Sequence, residues 1–345
     1  MWFVCFVISP IKSQKGEFMR IYEIDSMEAN QRLDKYLHKL LKSAGTGFIY
    51  KMLRKKTITL NGKKAEGNAM LKEGDIVKLY MLDETIEKFM DTTPEIKEYQ
   101  KAYKSLKSLI KIVYEDENVL ILNKPVGVLS QKAEKEDKSC NEWLIGYLLF
   151  TEQLAIKQLQ TFKPSICNRL DRNTSGLLIC GKTLLGTQKM NQLIKDREIK
   201  KFYRTFVKGD FKERVHVDGY LQKDYVANKS TILREAVFGS DKIETVFTPL
   251  EHSEEVSYLE VELITGKPHQ IRAHVASLGH PVLGDYKYGD KLLNETFHLK
   301  YQMLHAYRLE FPTLENEFKA LSNKKIVATE PEKYKRVRTY MRTLR

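Results

Sequence analysis

The chain has 345 residues, 42% of them hydrophobic and 30% charged, which is ordinary for folded soluble protein and calls for a sizeable core plus a smaller module. A formal net charge of +13 points to a polyanionic partner. An anionic membrane surface would instead require a basic amphipathic helix with exposed aromatic residues; none stands out, so no membrane partner is expected.

Cys5, Cys140, Cys167 and Cys180 fall at no metal-ligand spacing and no His cluster joins them, so reduced thiols in a cytoplasmic protein and no metal site are expected. The apolar start, Met1 to Pro10, is too short to span a bilayer and lacks a basic run before it or a small-residue cleavage site after it. Folded structure is expected to begin at Met19, with residues 1–18 an extension of unknown role.

From Asn30 to about Gly45, Leu33, Tyr36, Leu37, Leu40 and Leu41 recur at helical spacing, and a second helix follows from Thr46 to Lys56. Thr57 to Leu60, Asn61-Gly62 and Lys63 to Ala65 predict a hairpin, because a two-residue type I′ turn needs positive φ at both positions. Gly74-Asp75 precedes one more strand, Ile76 to Tyr80. Between Arg32 and Lys64 there are ten Lys or Arg against one Asp. Leu82 to Leu109 is charged and lacks a sustained apolar stripe, so it reads as a linker, partly helical near Tyr99 to Leu106.

Strand, turn and strand then follow over Ile110 to Leu122, closed by Asn123-Lys124-Pro125. Ser139 and Glu142 form a capping box ahead of a helix. Asn168-Arg169-Leu170-Asp171-Arg172-Asn173-Thr174-Ser175-Gly176 is a charged loop feeding a short apolar strand, Leu177 to Cys180. An acid flanked by Arg169 and Arg172 stays ionised at neutral pH, which suits a nucleophile or base better than a proton donor. Taken alone, an Asp beside an Arg is more often an ordinary loop salt bridge.

Thr183 to Ile199 is a predicted helix, and Lys201 to Val207 and Val256 to Ile264 alternate as strands. Thr265-Gly266-Lys267-Pro268-His269-Gln270-Ile271-Arg272 leads into a helix ending near Gly279. His269 and His274 lie five apart with no Cys near, a poor start for a zinc site. The tail from Lys324 carries eight Lys or Arg against two Glu, as an RNA contact or a solvated helix would.

The Asp171 stretch resembles the signature of the RluA family of pseudouridine synthases, His-Arg-Leu-Asp-x-x-Thr-Ser-Gly-Leu-Leu, at eight of its nine specified positions, with Asn168 in place of His. Lys201-Phe202-Tyr203 resembles the family's Lys-x-Tyr motif. Gly266-Lys267-Pro268-His269-Gln270-Ile271-Arg272 resembles Gly-Arg-x-His-Gln-Ile-Arg, with Lys267 for Arg. The N-terminal helices, Arg-Leu-Asp-Lys-Tyr-Leu opening and Thr-Leu-Asn-Gly-Lys hairpin resemble an S4 RNA-binding domain.

The resemblance implies an α+β fold: a synthase domain on a mixed, mainly antiparallel central sheet, plus a small α+β S4-like domain. The expected domains are 19–82 (S4-like), 83–109 (linker), 110–323 (synthase) and 324–345 (basic tail). It also implies Asp171 as catalytic carboxylate, Arg272 as its cation and Tyr203 as the aromatic face for the detached base. Arg169 could fill the vacated stack, and Arg32, Lys35, Lys39, Arg54, Lys55 and Lys56 would touch RNA. No cofactor is required, and the enzyme is expected to be a monomer. Ribosomal RNA of the large subunit is the favoured target, with tRNA, or a non-catalytic RNA-binding assembly role, as alternatives. A carboxylate glycosidase would normally want a second acid, and only one stands out.

Overall fold

The computed structural model describes residues 19–343, apart from Met27, Asp91, Thr92, Lys135 and residues 225–228. The expected extension 1–18, with Cys5, lies outside the described residues. Two compact units emerge: one takes the chain up to Tyr103 with Leu144–Pro164 and Thr183–Gly186, the other Lys104–Trp143, Ser165–Lys182 and Thr187–Arg345.

The first unit begins with strand β1 (Arg20–Glu23), helices α1 (Leu33–Leu40) and α2 (Thr46–Arg54), and strands β2 (Ile58–Leu60) and β3 (Ile76–Leu79). The strands form an antiparallel sheet in the order β1-β3-β2. Leu33, Tyr36, Leu37 and Leu40 of α1 and Ile49 and Leu53 of α2 are buried with Ile58, Val77 and Leu79, so the helical stripe and the strand alternation meet in one core.

Asn61 and Gly62 have φ of 51° and 73°, as a type I′ turn requires, yet the predicted hairpin closes only at the Leu60–Lys63 bridge. The ladder of β2 is with β3 instead. Lys63 to Ala65 has little to bury, whereas Val77 and Leu79 are core residues, and the Asn61 side chain accepts from the Ile76 N–H at 2.8 Å to hold that pairing.

Leu82 to Leu109, expected as a linker with helix only near Tyr99 to Leu106, is largely helical: α3 (Asp83–Phe89) and α4 (Thr93–Leu106), the latter containing the expected helical stretch. Ile86 and Met90 enter the first unit's core, and Tyr99, Ala102 and Leu106 recur at three and four residues on the buried side of α4. So narrow a stripe is diluted by the surrounding charge.

The second unit is built on one sheet, made from β4 (Lys111–Glu115), β5 (Val119–Lys124), β6 (Ser165–Ile166), β7 (Ser175–Gly181), β8 (Lys200–Lys208), β9 (Val215–Asp224), β10 (Lys229–Leu233), β11 (Asp241–His252), β12 (Val256–Leu263), β13 (Leu304–Glu310) and β14 (Lys325–Val327). Its order is β10-β9-β11-β12-β8-β13-β7-β5-β4, with β6 on β7 and β14 on β13. Among the described strands the β13–β7 pair is parallel and the others antiparallel, so the sheet is mixed and mainly antiparallel. Helices α7 (Gln270–Ser277), α8 (Lys291–Thr296) and α9 (Glu332–Thr343) also belong to this unit, while α5 (Cys140–Phe150) has Leu144–Phe150, and α6 (Leu184–Lys195) has Leu184–Gly186, in the first unit; the architecture is α+β.

All seven residues of β7 are buried, as the apolar run Leu177 to Cys180 demands. Gly176 has φ 115°, and a Cβ there would lie 2.2 Å from the Ala306 carbonyl oxygen, so glycine is needed where β13 runs beside β7.

The expected basic tail is folded structure. Residues 325–327 pair with β13, and Tyr334, Val337 and Met341 of α9 pack on Phe206, Tyr258 and Leu283. Arg342 reaches Glu251 at 3.1 Å. Three apolar residues among many charges are enough, because they share one face at helical spacing. Met341→Ala should therefore destabilise the protein by about 2–4 kcal/mol, the usual loss for a buried Met, while exposed Arg336→Ala stays within about 0.5 kcal/mol. Urea unfolding of both variants measures this.

Candidate active site

Asp171 lies on the loop between β6 and β7, and backbone contacts fix that loop from both ends. The Asn168 side-chain oxygen accepts from the Ile179 N–H at 2.8 Å, tying the loop back onto β7. Ser130 Oγ donates to the Leu170 carbonyl at 2.9 Å and accepts from the Leu170 N–H at 3.0 Å. Fully buried Lys124 donates from Nζ to the carbonyls of Pro125, Val128 and Arg172 at 3.1, 2.7 and 3.0 Å. Burial pushes its pKa down to about 8, against the opposing pull of Cys140 and Asp171. One ammonium thus clamps the residue next to Asp171 to the turn after β5.

The cation at Asp171 is Arg272, from the first turn of α7. Its Nη1 donates to Asp171 Oδ2 at 2.8 Å, while Nε and Nη2 donate to Asp285 Oδ2 and Oδ1 at 2.7 and 2.9 Å. The Arg272 side chain is 8% exposed, Asp285 0% and Asp171 29%. Asp285 also accepts from the Lys287 and Tyr288 N–H groups. Burial alone would raise the Asp285 pKa, but Arg272 and these N–H groups outweigh it and hold the carboxyl below the usual range.

The arginines adjacent in sequence do not supply that counter-charge. Arg172 lies 3.7 Å from Asp137, and Arg169 is exposed and makes no ion pair among the described residues. In an irregular loop, successive side chains diverge.

Tyr203, on β8, is buried and lines the same cleft of about 560 Å³ as Asp171 and Arg272. Burial, and then the charge of Asp171, raises its pKa, so it is a neutral phenol face. Lys132, Arg169, Arg172, Lys201 and Lys267 also line the cleft, and Asp171 is its one lining carboxylate among the described residues.

His269, quoted in the motif before Arg272 but given no role from the sequence, also lines the cleft. It sits at φ 58°, with Nε2 3.9 Å from Asp171 Oδ2 and Nδ1 3.0 Å from the Tyr288 hydroxyl. That hydroxyl also accepts from the Ser230 N–H at 2.7 Å, which holds the ring of Tyr288 and, through it, the imidazole beside the carboxylate.

The residues expected to touch RNA elsewhere belong to the first unit. Lys35, Arg54, Lys55 and Lys56 are exposed; Arg32 is held by Asp34 at 2.6 Å, and half-buried Lys39 donates to Gln31 at 2.7 Å.

The RNA pseudouridylate synthase family model matches residues 118–277. An uncharacterized RNA pseudouridine synthase of Mycoplasma genitalium is 30% identical over 310 residues, 85% of this chain and 90% of its own. The chain belongs to the RNA pseudouridylate synthase family. It is an isomerase that converts uridine in RNA to pseudouridine. The synthase is also similar to the ribosomal large subunit pseudouridine synthases C of Vibrio parahaemolyticus (30% identical, 90% of this chain and 92% of that one) and Rickettsia typhi (32%, 80% and 87%). Among solved structures, human RNA pseudouridylate synthase domain containing 4 shares the fold with a TM-score of 0.56 at 19% identity, over 71% of this chain and 97% of that one.

Asp285 orients the arginine that touches Asp171, so Asp285→Asn should cost about 3–5 kcal/mol by leaving a buried guanidinium underpaired, and should lower turnover with it. Because the native pKa of Asp285 is depressed, its contribution is full above the unfolded value of about 3.9 and is lost as pH falls below that. Unfolding curves of wild type and variant should therefore differ most at neutral pH and converge in acid.

Proposed function

We propose that the synthase modifies ribosomal RNA of the large subunit in the cytoplasm, with Asp171 as catalytic carboxylate, Arg272 as its cation and Tyr203 as the stacking face for the detached uracil. The target is inferred from the names of the Vibrio and Rickettsia relatives and the +13 charge. Free cysteines at 140, 167 and 180 agree with a reducing compartment, and among the described residues no helix is long and apolar enough to cross a membrane.

The observation that carries the active-site reading is the Arg272–Asp171 pair opening into a cleft lined by Tyr203. Isomerisation breaks the N1–C1′ bond, turns the uracil and forms C5–C1′; the C5 proton leaves and N1 ends protonated, with no net redox change. Attack at C1′ and removal of the C2′ proton both need an ionised carboxylate beside the ribose. Arg272 aims Asp171 through its Nη1 hydrogen bond, and an aromatic wall retains the free base and excludes water. Among the described residues Asp171 is the one carboxylate lining the cleft, which argues against a paired-acid glycosidase. The target base must leave its stack, at a few kcal/mol, before it can enter the cleft.

Asp171→Asn keeps the side chain's size and removes its charge. Pseudouridine formation should fall roughly a thousand-fold or more while RNA binding survives, as chemical mapping of pseudouridine in ribosomal RNA would report. Turnover near wild type would overturn the assignment.

We read residues 19–82 as an S4-like RNA-binding module, supported by its paired helices, its Asn-Gly turn and the exposed cations Lys35, Arg54, Lys55 and Lys56. Replacing Arg54, Lys55 and Lys56 together by Ala should flatten the salt dependence of RNA affinity by about 0.7–0.9 for each phosphate that is no longer neutralised. An unchanged slope would remove these residues from the interface.

A further inference from the structure

Lys201 is a buried cation at the cleft wall, 8% exposed, with no carboxylate partner among the described residues. The register of β8 explains why. Glu262 of β12 stands opposite Phe202, and Glu310 of β13 stands opposite Lys200, so both acids project from the other face of the sheet. Glu310 is already paired with Arg308 and Lys325. Burial pushes the Lys201 pKa below its ordinary value, and Arg197 adds to that push. Holding an unpaired ammonium there costs stability, and a ligand that neutralises it would recover that cost.

We infer that Lys201 binds a phosphate of the RNA strand whose uridine occupies the cleft. This rests on the reading of the cleft as the Asp171 active site. Lys201 and Tyr203 alternate on the same face of β8, roughly 7 Å apart along the strand. That separation matches the reach from a base lying on Tyr203, across its ribose, to the backbone. The ammonium lies beside Gly266, where a Cβ would stand 4.0 Å from Lys201 Nζ, and both residues line the cleft. A uracil carbonyl could accept a hydrogen bond from the ammonium but would leave its charge unneutralised, so the observations favour phosphate.

The test measures binding of full-length protein to a uridine-containing single-stranded RNA oligonucleotide across a salt series, with single-turnover rates at saturating RNA. Lys201→Met should lower the slope of log affinity against log salt by about 0.7, the value for one phosphate on a single strand. At low salt, affinity should fall about ten-fold, as when a charge-assisted hydrogen bond is removed, with a smaller change in the saturated rate. Lys201→Arg should keep the slope. If the Met variant does not fold, Lys201→Gln reports the same quantity. A folded neutral variant with an unchanged slope would overturn the inference, whatever its turnover. The slope is read from binding alone, whereas the catalytic reading stands or falls on pseudouridine formation by wild type and Asp171→Asn, so the two failures are distinguishable.

Discussion

One guanidinium shared by two carboxylates is the constraint on which the site depends. Arg272 gives two donors to Asp285, which is wholly buried, and one to Asp171, which is partly open to the cleft. The buried pair is close to neutral overall. Asp171 is therefore aimed by a hydrogen bond without having its charge cancelled, and the surplus negative charge stands at the mouth of the arrangement. A buried ion pair of this kind does little for stability on balance, because desolvation offsets the Coulomb gain. Its value lies in orientation: a bidentate contact to Asp285 fixes the plane of the guanidinium, and with it the direction of the third donor.

Much of this was legible in the residues. Apolar pattern located α1, α2 and α6 and the strands β4, β5, β7, β8 and β12 of the large sheet, whereas β9, β10 and β11 were not picked out. The motifs at Asp171, Tyr203 and Arg272, far apart in the chain, line one cleft. Less legible were elements held by few contacts. Helices α3, α4 and α9 each bury only a few side chains amid dense charge, too little to register as an apolar stripe.

The supporting residues were hidden for another reason. Asp285 lies 13 residues beyond its arginine, and Lys124 stands between a strand and a proline; neither was assigned a role from the sequence. Their roles depend on burial, which short-range pattern does not encode. The same holds for the opposite error: Arg169 and Arg172 are adjacent to Asp171 in sequence but do not pair with it. Proximity along an irregular loop says little about where charged tips meet, whereas an arginine on the first turn of a helix has a defined direction.

The sheet sets the remaining distance. Ala306 of β13 lies opposite Gly176 of β7 on one side and Tyr203 of β8 on the other. The strand that begins just after the Asp171 loop and the strand that carries the aromatic face are therefore two ladder spacings apart, roughly 10 Å. A side chain on Gly176 would strike the Ala306 backbone. The parallel β13–β7 pair, the exception in a sheet otherwise antiparallel among the described strands, thus brings a loop before one strand and a side chain within another to the same cleft. In an antiparallel β13–β7 pair the start of β7 would face the other end of β13, carrying the Asp171 loop away from Tyr203. The carboxylate and the aromatic wall meet because this one pairing keeps its direction.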